Sequence, residues 1–212
     1  MAGDKYKLTY FNVPGLGESI RYLLHALNIP FEDHRIEFSE WPNLKPKIPT
    51  HQLPYLEVTD SSGKTVGYSE SLAIARFIAR QHNMMGETND QYYKVERMIG
   101  QCMDVMHAFL DILHNQDRKE QLVDGFKKEK GPRLLEAIRK SLKESGDKFV
   151  AGDKPSLGDL VLLIAMEHAK LIDPHLTIHP EIAAHREAVL KAFPKLEAYI
   201  KQHPFVYPHM RQ

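Results

Sequence analysis

The sequence predicts a small α/β domain with a mixed β-sheet, followed by an all-helical domain. Residues 1–82 alternate strand-like and helix-like patterns in the order β-α-β-(α)-β-β-α. A βαβ unit followed by a ββα unit is typical of a mixed sheet covered by helices. Beyond the linker every strong apolar repeat has helical spacing. We therefore place the α/β domain at 1–82, a polar linker at 83–91 and the helical domain at 92–212.

Short β-rich segments and turn signals define the strands of the first domain. Strands are predicted over residues 6–11, 31–37, 55–58 and 65–68. The last two flank Asp60-Ser61-Ser62-Gly63, a strong turn signal, and so form a β-hairpin. Apolar residues at helical spacing predict helices over 20–27 and 71–82, and Trp41-Pro42 opens a short irregular or helical stretch.

The helical domain contains one long apolar stripe and one segment that is apolar on all sides. The stripe runs over residues 95–113 and predicts the longest helix. Residues 160–164 are apolar all round, which is typical of a buried helix. Ser156-Leu157-Gly158-Asp159 directly before them fits a capping box, with Asp159 in the place of the usual glutamate.

Composition and charge exclude several classes of protein. Lys plus Arg and Asp plus Glu both number 28, so the formal net charge is zero. Neither nucleic acid nor an anionic membrane is therefore expected as the main partner. The single cysteine, Cys102, excludes an internal disulfide and falls within the apolar stripe, where a buried inert thiol is favoured. The sequence has neither a secretory signal pattern nor an apolar run of about 18 residues, so we expect a cytoplasmic protein.

One tyrosine and one proline stand where an α/β domain binds ligands. Tyr10 ends the first strand just before a glycine-containing loop, and ligands bind beyond the carboxyl ends of such strands. The alternative is an aromatic residue of the core. Leu53-Pro54 precedes the third strand, where a cis bond would leave the Leu53 backbone free to pair with a peptide-like ligand. The alternative is an ordinary loop proline.

Two further groups of residues suit an anionic ligand. Ser69-Glu70-Ser71 precedes the third helix, and free N–H groups at a helix start attract carboxylates. Plain N-capping is the alternative, and it is compatible with binding. Trp41 and Lys45 lie four residues apart and could present an indole N–H and an ammonium group to one anion, although such a pair is common on surfaces.

The long helix also carries a stripe of possible metal ligands. Asp104, His107, Asp111 and His114 recur at spacings of three, four and three. A single straight helix rarely surrounds a metal, and the sequence has no second ligand cluster. We therefore interpret the stripe as a polar face towards solvent or a partner subunit, and expect no metal.

Several separated segments resemble the sigma-class glutathione transferases. They are Lys7-Leu8-Thr9-Tyr10-Phe11-Asn12, Glu32-Asp33-His34-Arg35-Ile36, Trp41-Pro42, Gln52-Leu53-Pro54-Tyr55-Leu56 and Glu70-Ser71-Leu72-Ala73-Ile74-Ala75-Arg76. The flatworm branch in particular is similar at Met84-Met85-Gly86, Tyr92-Tyr93, Gly152-Asp153 and Leu157-Gly158-Asp159-Leu160. The resemblance runs through nearly the whole chain and includes the glutathione-dependent prostaglandin D synthases.

This resemblance implies a thioredoxin-like N-terminal domain, an all-α C-terminal domain and a homodimer. It implies that glutathione is the co-substrate and that small hydrophobic electrophiles are its partners in a detoxification reaction. The helical domain would carry much of the electrophile pocket and the dimer contacts.

The resemblance also assigns roles residue by residue. Tyr10 would donate its hydroxyl hydrogen bond to the glutathione sulfur. Trp41 and Lys45 would bind the glycine carboxylate of glutathione. Leu53 before cis Pro54 would pair with the cysteinyl backbone, with Gln52 nearby. Glu70 and Ser71 would bind the γ-glutamyl group, and Asp104 would reach across the dimer to the γ-glutamyl amine in the other subunit. The electrophile pocket would be lined by Phe11, Phe38, Met106, Phe205 and Tyr207.

The loop after Tyr10 departs from the family pattern. It reads Pro14-Gly15-Leu16-Gly17-Glu18 where relatives usually have Arg-Gly-Arg-Ala-Glu. Leu16 replaces an arginine that commonly helps to hold the glycine carboxylate, so we expect weaker glutathione binding than in relatives. A prostaglandin D synthase and a non-catalytic, crystallin-like ligand carrier remain the alternatives to a conjugating enzyme.

Overall fold

The computed structural model describes residues 4–146 and 148–207 of the chain. Its backbone forms two compact units. The first consists of residues 4–82 together with 193–207, and the second is Asn83–Ala192. The sequence analysis places residues 193–207 in the helical domain, whereas in the structure they pack with the α/β unit.

The first unit is built on one four-stranded sheet. Its strands are β1 (Lys5–Phe11), β2 (Phe31–Ile36), β3 (Tyr55–Thr59) and β4 (Thr65–Ser69), in the spatial order β2-β1-β3-β4. β1 pairs with β2 in parallel, and the other two pairs are antiparallel. The predicted mixed sheet and hairpin are therefore confirmed. Asp60 closes the hairpin turn, since its Oδ1 accepts from the N–H groups of Ser62 and Lys64.

Helices complete the first unit and make up the second. In chain order they are α1 (Glu18–Ala26), α2 (Trp41–Leu44), α3 (Ser71–Gln81), α4 (Asn89–His114), α5 (Lys119–Gly125), α6 (Gly131–Ser145), α7 (Leu157–Ile172), α8 (Pro180–Ala192) and α9 (Pro194–Gln202). A π-helical turn at Phe126–Lys130 joins α5 to α6. Among the described residues, no helix combines the length and the apolar character needed to cross a membrane.

Helix α9 belongs to the first unit because it packs on α1. Leu196 and Tyr199 of α9 are buried, and the Tyr199 hydroxyl donates to Glu18 Oε1 of α1 at 2.9 Å. Apolar residues of α1 and α3, among them Ile20 and Ile78, are fully buried in the same unit. Helix α9 therefore packs with the helix that follows β1.

The second unit has α4 and α7 at its centre. As predicted, α7 is buried on nearly every face. The Asp159 carboxylate in its first turn accepts from the Ser156 N–H at 2.7 Å and from the Val150 N–H at 2.8 Å. His185 of α8 lies 2.6 Å from the same carboxylate. Asp159 thus joins the start of α7 to the preceding loop and to α8.

The predicted linker at 83–91 extends too far towards the C-terminus. Helix α4 begins at Asn89, because Thr88 and Gln91 form a capping box. Met84 and Met85 are buried, and the Met84 carbonyl accepts from the Leu157 N–H at 2.8 Å. This segment is therefore a packed part of the second unit.

Candidate active site

Tyr10 lies at the carboxyl end of β1 with its ring seated on two glycines. Its side chain is 7% exposed. A Cβ atom at Gly15 would lie 2.5 Å from Tyr10 Oη, and one at Gly17 would lie 2.6 Å from ring atoms. Gly15 also has a φ of +46°, a conformation that L-residues rarely adopt. The glycines in this loop therefore make room for the tyrosine.

The Tyr10 hydroxyl accepts one backbone hydrogen bond and keeps its own proton. The Leu16 N–H donates to Tyr10 Oη at 3.0 Å. Burial raises the pKa of Tyr10, and the Leu16 N–H and the Arg21 charge oppose that rise only in part. The phenol is therefore protonated at neutral pH. A protonated hydroxyl that also accepts a hydrogen bond is polarised, which makes it a stronger donor.

Arg21 holds the loop that follows Tyr10. Its guanidinium is fully buried and donates to the carbonyl oxygens of Val13 at 2.9 Å and Phe11 at 3.2 Å. The same group is paired with Glu18 at 3.1 Å and Asp33 at 3.0 Å. Sequence reasoning missed Arg21, because a charged residue in an amphipathic helix is normally assigned to the solvent face.

Arg21 also contributes charge close to the tyrosine. Its Cζ lies 5.6 Å from the centre of the Tyr10 ring. The positive charge favours the phenolate and so limits the rise in the Tyr10 pKa that burial causes. Arg21 therefore acts on Tyr10 both through the loop backbone and through its charge.

A cleft of about 390 Å³ opens in the first unit beside this loop. It is lined by Phe11, Leu16, Trp41, His51, Gln52, Leu53, Pro54, Glu70 and Ser71. Six of the sequence-predicted glutathione residues therefore meet in one place. Tyr10 does not line the cleft itself, but both Leu16, its hydrogen-bond donor, and its neighbour Phe11 do.

The backbone of the cleft has groups available to a ligand. The Leu53–Pro54 peptide bond is cis, as the sequence suggested. Within the described residues neither the N–H nor the carbonyl of Leu53 has a hydrogen-bond partner. An extended peptide could pair with both groups in the way an added β-strand does.

Glu70 and Ser71 begin α3 at the other side of the cleft. Glu70 has φ 69° and ψ 105°, a strained conformation for a residue with a side chain. Such strain is found at ligand-binding sites, where the surrounding structure maintains it. The helix start supplies N–H groups and a positive dipole end, which suit an α-carboxylate. His51, which the sequence analysis did not single out, lines the same cleft with a φ of 53°.

The other sequence-predicted glutathione residues and, apart from Phe11, the predicted electrophile residues do not line this cleft. Lys45 directly follows α2 and does not line the cleft. Asp104 is exposed on α4 of the second unit, where Met106 is buried. Phe11 and Phe38 stack with ring centres 4.4 Å apart, and Phe205 and Tyr207 contact edge to face at 6.3 Å.

The candidate metal stripe of α4 forms a polar surface. Asp104, His107, Asp111 and His114 are all exposed. Across residues 4–146 and 148–207, His, Cys, Asp and Glu side chains nowhere form a group of three that could hold a metal ion. Cys102 is buried, and burial raises the pKa of its thiol well above the usual range. The cysteine is therefore unreactive.

Comparison with known proteins identifies the family. Residues 6–80 match the family model for the glutathione S-transferase N-terminal domain, and residues 103–203 match that for the C-terminal domain. Together the two models cover most of the chain. The chain belongs to the glutathione S-transferase family and is an enzyme of that class. The thioredoxin-like and helical domains expected from the sequence are thereby confirmed.

Individual relatives define the branch. A 28 kDa glutathione S-transferase isozyme of Schistosoma mansoni, named class-mu, is 42% identical over 96% of this chain and 98% of its own length. The solved sigma-class enzyme of Fasciola hepatica has 37% identity and a TM-score of 0.89, covering 94% of this chain and 97% of its own. The hematopoietic prostaglandin D synthase of Rattus norvegicus is 34% identical over 94% of this chain and 96% of its own. The resemblance to sigma-class transferases and their flatworm branch is confirmed.

Proposed function

We propose that the enzyme adds the thiolate of glutathione to small hydrophobic electrophiles, with Tyr10 stabilising the thiolate. The observation that carries this proposal is the state of the Tyr10 hydroxyl. It is protonated, polarised by the Leu16 N–H at 3.0 Å, and held next to a cleft whose lining suits a peptide. The thiol proton is lost to solvent or buffer and the sulfur forms a bond to an electrophilic carbon. That carbon either releases a leaving group, such as the chloride of a chlorodinitrobenzene-type substrate, or its π-bond opens and the resulting carbanion takes up a proton from solvent.

The free energy that this role requires is modest. A free thiol has a pKa near ~8.5, so little thiolate exists at neutral pH. Lowering that pKa by about two units takes about 2.7 kcal/mol of preferential stabilisation of the anion. A charge-assisted hydrogen bond contributes about 1.5–3 kcal/mol, so a single well-placed phenol accounts for most of the requirement.

The rest of glutathione is assigned to residues of the cleft, together with Lys45 and Asp104 outside its lining. Trp41 and Lys45 bind the glycine carboxylate, and Leu53, ahead of Pro54 and beside Gln52, pairs with the cysteinyl backbone. Glu70 and Ser71 bind the γ-glutamyl group, which the helix dipole of α3 supports. In a homodimer, Asp104 of one subunit reaches the γ-glutamyl amine bound by the other. The electrophile lies against Phe11, Phe38, Phe205 and Tyr207, and the enzyme acts in the cytoplasm.

Substitutions in the cleft test the binding assignment. Ser71→Ala removes a hydroxyl from the cleft, and Ser62→Ala removes one from the exposed hairpin turn as a matched control. We expect Ser71→Ala to raise the glutathione KM about tenfold, as loss of one hydrogen bond to a charged group implies, and Ser62→Ala to leave it unchanged. Equal KM values in both variants would contradict the assignment. Absence of conjugation by the wild type would contradict the proposed function.

Prostaglandin isomerisation is the second candidate. It is favoured by the 34% identity to the rat prostaglandin D synthase over nearly the whole chain. Both reactions use the same activated thiol, so the electrophile pocket decides between them. Conversion of prostaglandin H to prostaglandin D at a higher kcat/KM than conjugation of a chlorodinitrobenzene-type substrate would make isomerisation the main activity.

A further inference from the structure

Tyr207 is buried against the loop that follows Tyr10. Tyr207 is 7% exposed although it lies five residues beyond the last residue of α9, Gln202. Its Oη accepts a buried hydrogen bond from the N–H of Gly15 at 2.9 Å, across a sequence separation of 192 residues. Tyr207 is therefore attached to the tyrosine loop by a specific polar contact.

Two successive N–H groups of that loop are directed at two tyrosine hydroxyls. The Gly15 N–H donates to Tyr207 at 2.9 Å, and the next one, of Leu16, donates to Tyr10 at 3.0 Å. Gly15 between them has a φ of +46°. Only the φ and ψ angles of Gly15 separate the peptide plane that carries the Gly15 N–H from the plane that carries the Leu16 N–H. The hydrogen bond between the Gly15 N–H and Tyr207 therefore restrains the neighbouring Leu16 N–H, which donates to the Tyr10 hydroxyl.

We propose that Tyr207 is a positioning residue for Tyr10, acting through the Gly15–Leu16 turn. Tyr207 Oη fixes the Gly15 peptide, and the fixed turn keeps the Leu16 N–H on Tyr10 Oη. That hydrogen bond strengthens Tyr10 as a donor to the thiolate, since linked hydrogen bonds polarise one another. Tyr207 thus tunes thiol activation. The inference rests on the proposed function and adds to it a role distinct from lining an electrophile pocket.

Tyr207→Phe tests this role in the full chain, because it removes the hydroxyl and keeps the ring. Tyr93→Phe removes a hydroxyl from a tyrosine 58% exposed on α4 and is the control. Conjugation is measured from about pH 6 to 9, spanning the thiol pKa. At saturating glutathione, we expect Tyr207→Phe to lower kcat/KM for the electrophile about fivefold at the acidic end and less than about twofold at the alkaline end. This difference corresponds to a bound thiol pKa that is about 0.7 higher.

The glutathione KM and the thermal midpoint separate positioning from general damage. A positioning role predicts a glutathione KM within about twofold of the wild-type value. Loss of an interaction that is made only in the reacting state lowers kcat and leaves KM unchanged. Superimposable pH profiles for Tyr207→Phe and wild type would overturn the inference, as would a loss equal at every pH. If Tyr10→Phe lowers the rate and Tyr207→Phe does not, only this inference fails. If Tyr10→Phe has no effect, the proposed function fails.

Discussion

The hydroxyl of Tyr199 donates to the carboxylate of Glu18 at 2.9 Å, joining α9 to the start of α1. Tyr199 Oη in turn accepts from Arg35 Nη2 at 2.9 Å. The Tyr199 ring is stacked between two histidines, with centres 4.1 Å from His25 and 4.5 Å from His203. This cluster attaches the last helix to the helix that follows the Tyr10 loop.

Removal of the Tyr199 hydroxyl is expected to destabilise the protein. Tyr199→Phe leaves the buried Glu18 carboxylate with one donor fewer, which costs about 1–3 kcal/mol. Urea unfolding should show a lower midpoint for Tyr199→Phe and an unchanged one for Tyr93→Phe on the exposed surface. Equal midpoints would mean that the hydrogen bond between α9 and α1 contributes nothing to stability.

Gly15→Ala is expected to impair catalysis by crowding Tyr10. Its new Cβ would lie 2.5 Å from Tyr10 Oη, so the ring must move. Gly63→Ala in the hairpin turn is the control, since Gly63 also has a positive φ (+86°) but no atom within 4 Å of the added Cβ. Both substitutions should cost about 1–2 kcal/mol of stability through backbone strain.

Only the first of these glycine variants should lose activity. We expect conjugation by Gly15→Ala to fall at least about tenfold, in line with the loss of one charge-assisted hydrogen bond, and that by Gly63→Ala to stay near wild type. Steady-state rates at saturating glutathione measure this. Equal activity in Gly15→Ala and Gly63→Ala would show that the space Gly15 leaves for the Tyr10 ring does not affect catalysis.

Leu16→Arg is expected to tighten glutathione binding. Leu16 lines the cleft in the place where relatives commonly have an arginine for the glycine carboxylate. One restored charge-assisted contact should lower the glutathione KM about three- to tenfold. Leu16→Met is the uncharged control. A KM for Leu16→Arg that is unchanged or higher would contradict the idea that this loop weakens binding.

The stability of the helical unit is expected to fall in mild acid through His168. Burial lowers the pKa of His168 from 6.5 to about 4. Between these values the unfolded chain binds a proton that the folded chain does not, so stability is complete above about pH 6.5 and decreases as the pH falls. The expected loss from pH 7 to pH 5 is about 2 kcal/mol. Urea unfolding at both pH values measures this loss.

Replacement of the histidine isolates its contribution. His168→Leu has no titratable group, so its loss of stability between pH 7 and pH 5 should be smaller than that of the wild type by about 2 kcal/mol. The same pH dependence in both proteins would mean that His168 is protonated in the folded state without cost.

Local sequence patterns predict those parts of the fold that local forces determine. The hairpin follows from Asp60, whose side chain closes the turn within four residues. The start of α4 could have been predicted as well, because Thr88-x-x-Gln91 is a recognisable capping box that the sequence analysis overlooked. The resemblance was needed to assign the cleft residues to one ligand, since Leu53 before Pro54 and Glu70 at a helix start each have an ordinary alternative explanation when taken alone.

Long-range contacts explain what the sequence does not predict. The packing of α9 with the first unit depends on Tyr199 meeting Glu18 across a separation of 181 residues. Arg21 is buried only because Glu18, Asp33 and two backbone carbonyls converge on it. The positive φ of Glu70 is a product of the surrounding structure. None of these features has a periodic or local signal in the sequence.

The most direct test of the account is the titration of glutathione bound to the wild type and to Tyr10→Phe, followed by the ultraviolet absorption of the thiolate. Binding of glutathione to both proteins is measured alongside. If Tyr10 activates the thiol, the pKa of bound glutathione lies about two units below the free value of ~8.5 in the wild type, and returns towards that value in Tyr10→Phe with binding intact. A bound thiol pKa that is the same in both proteins would contradict the assignment of thiol activation to Tyr10.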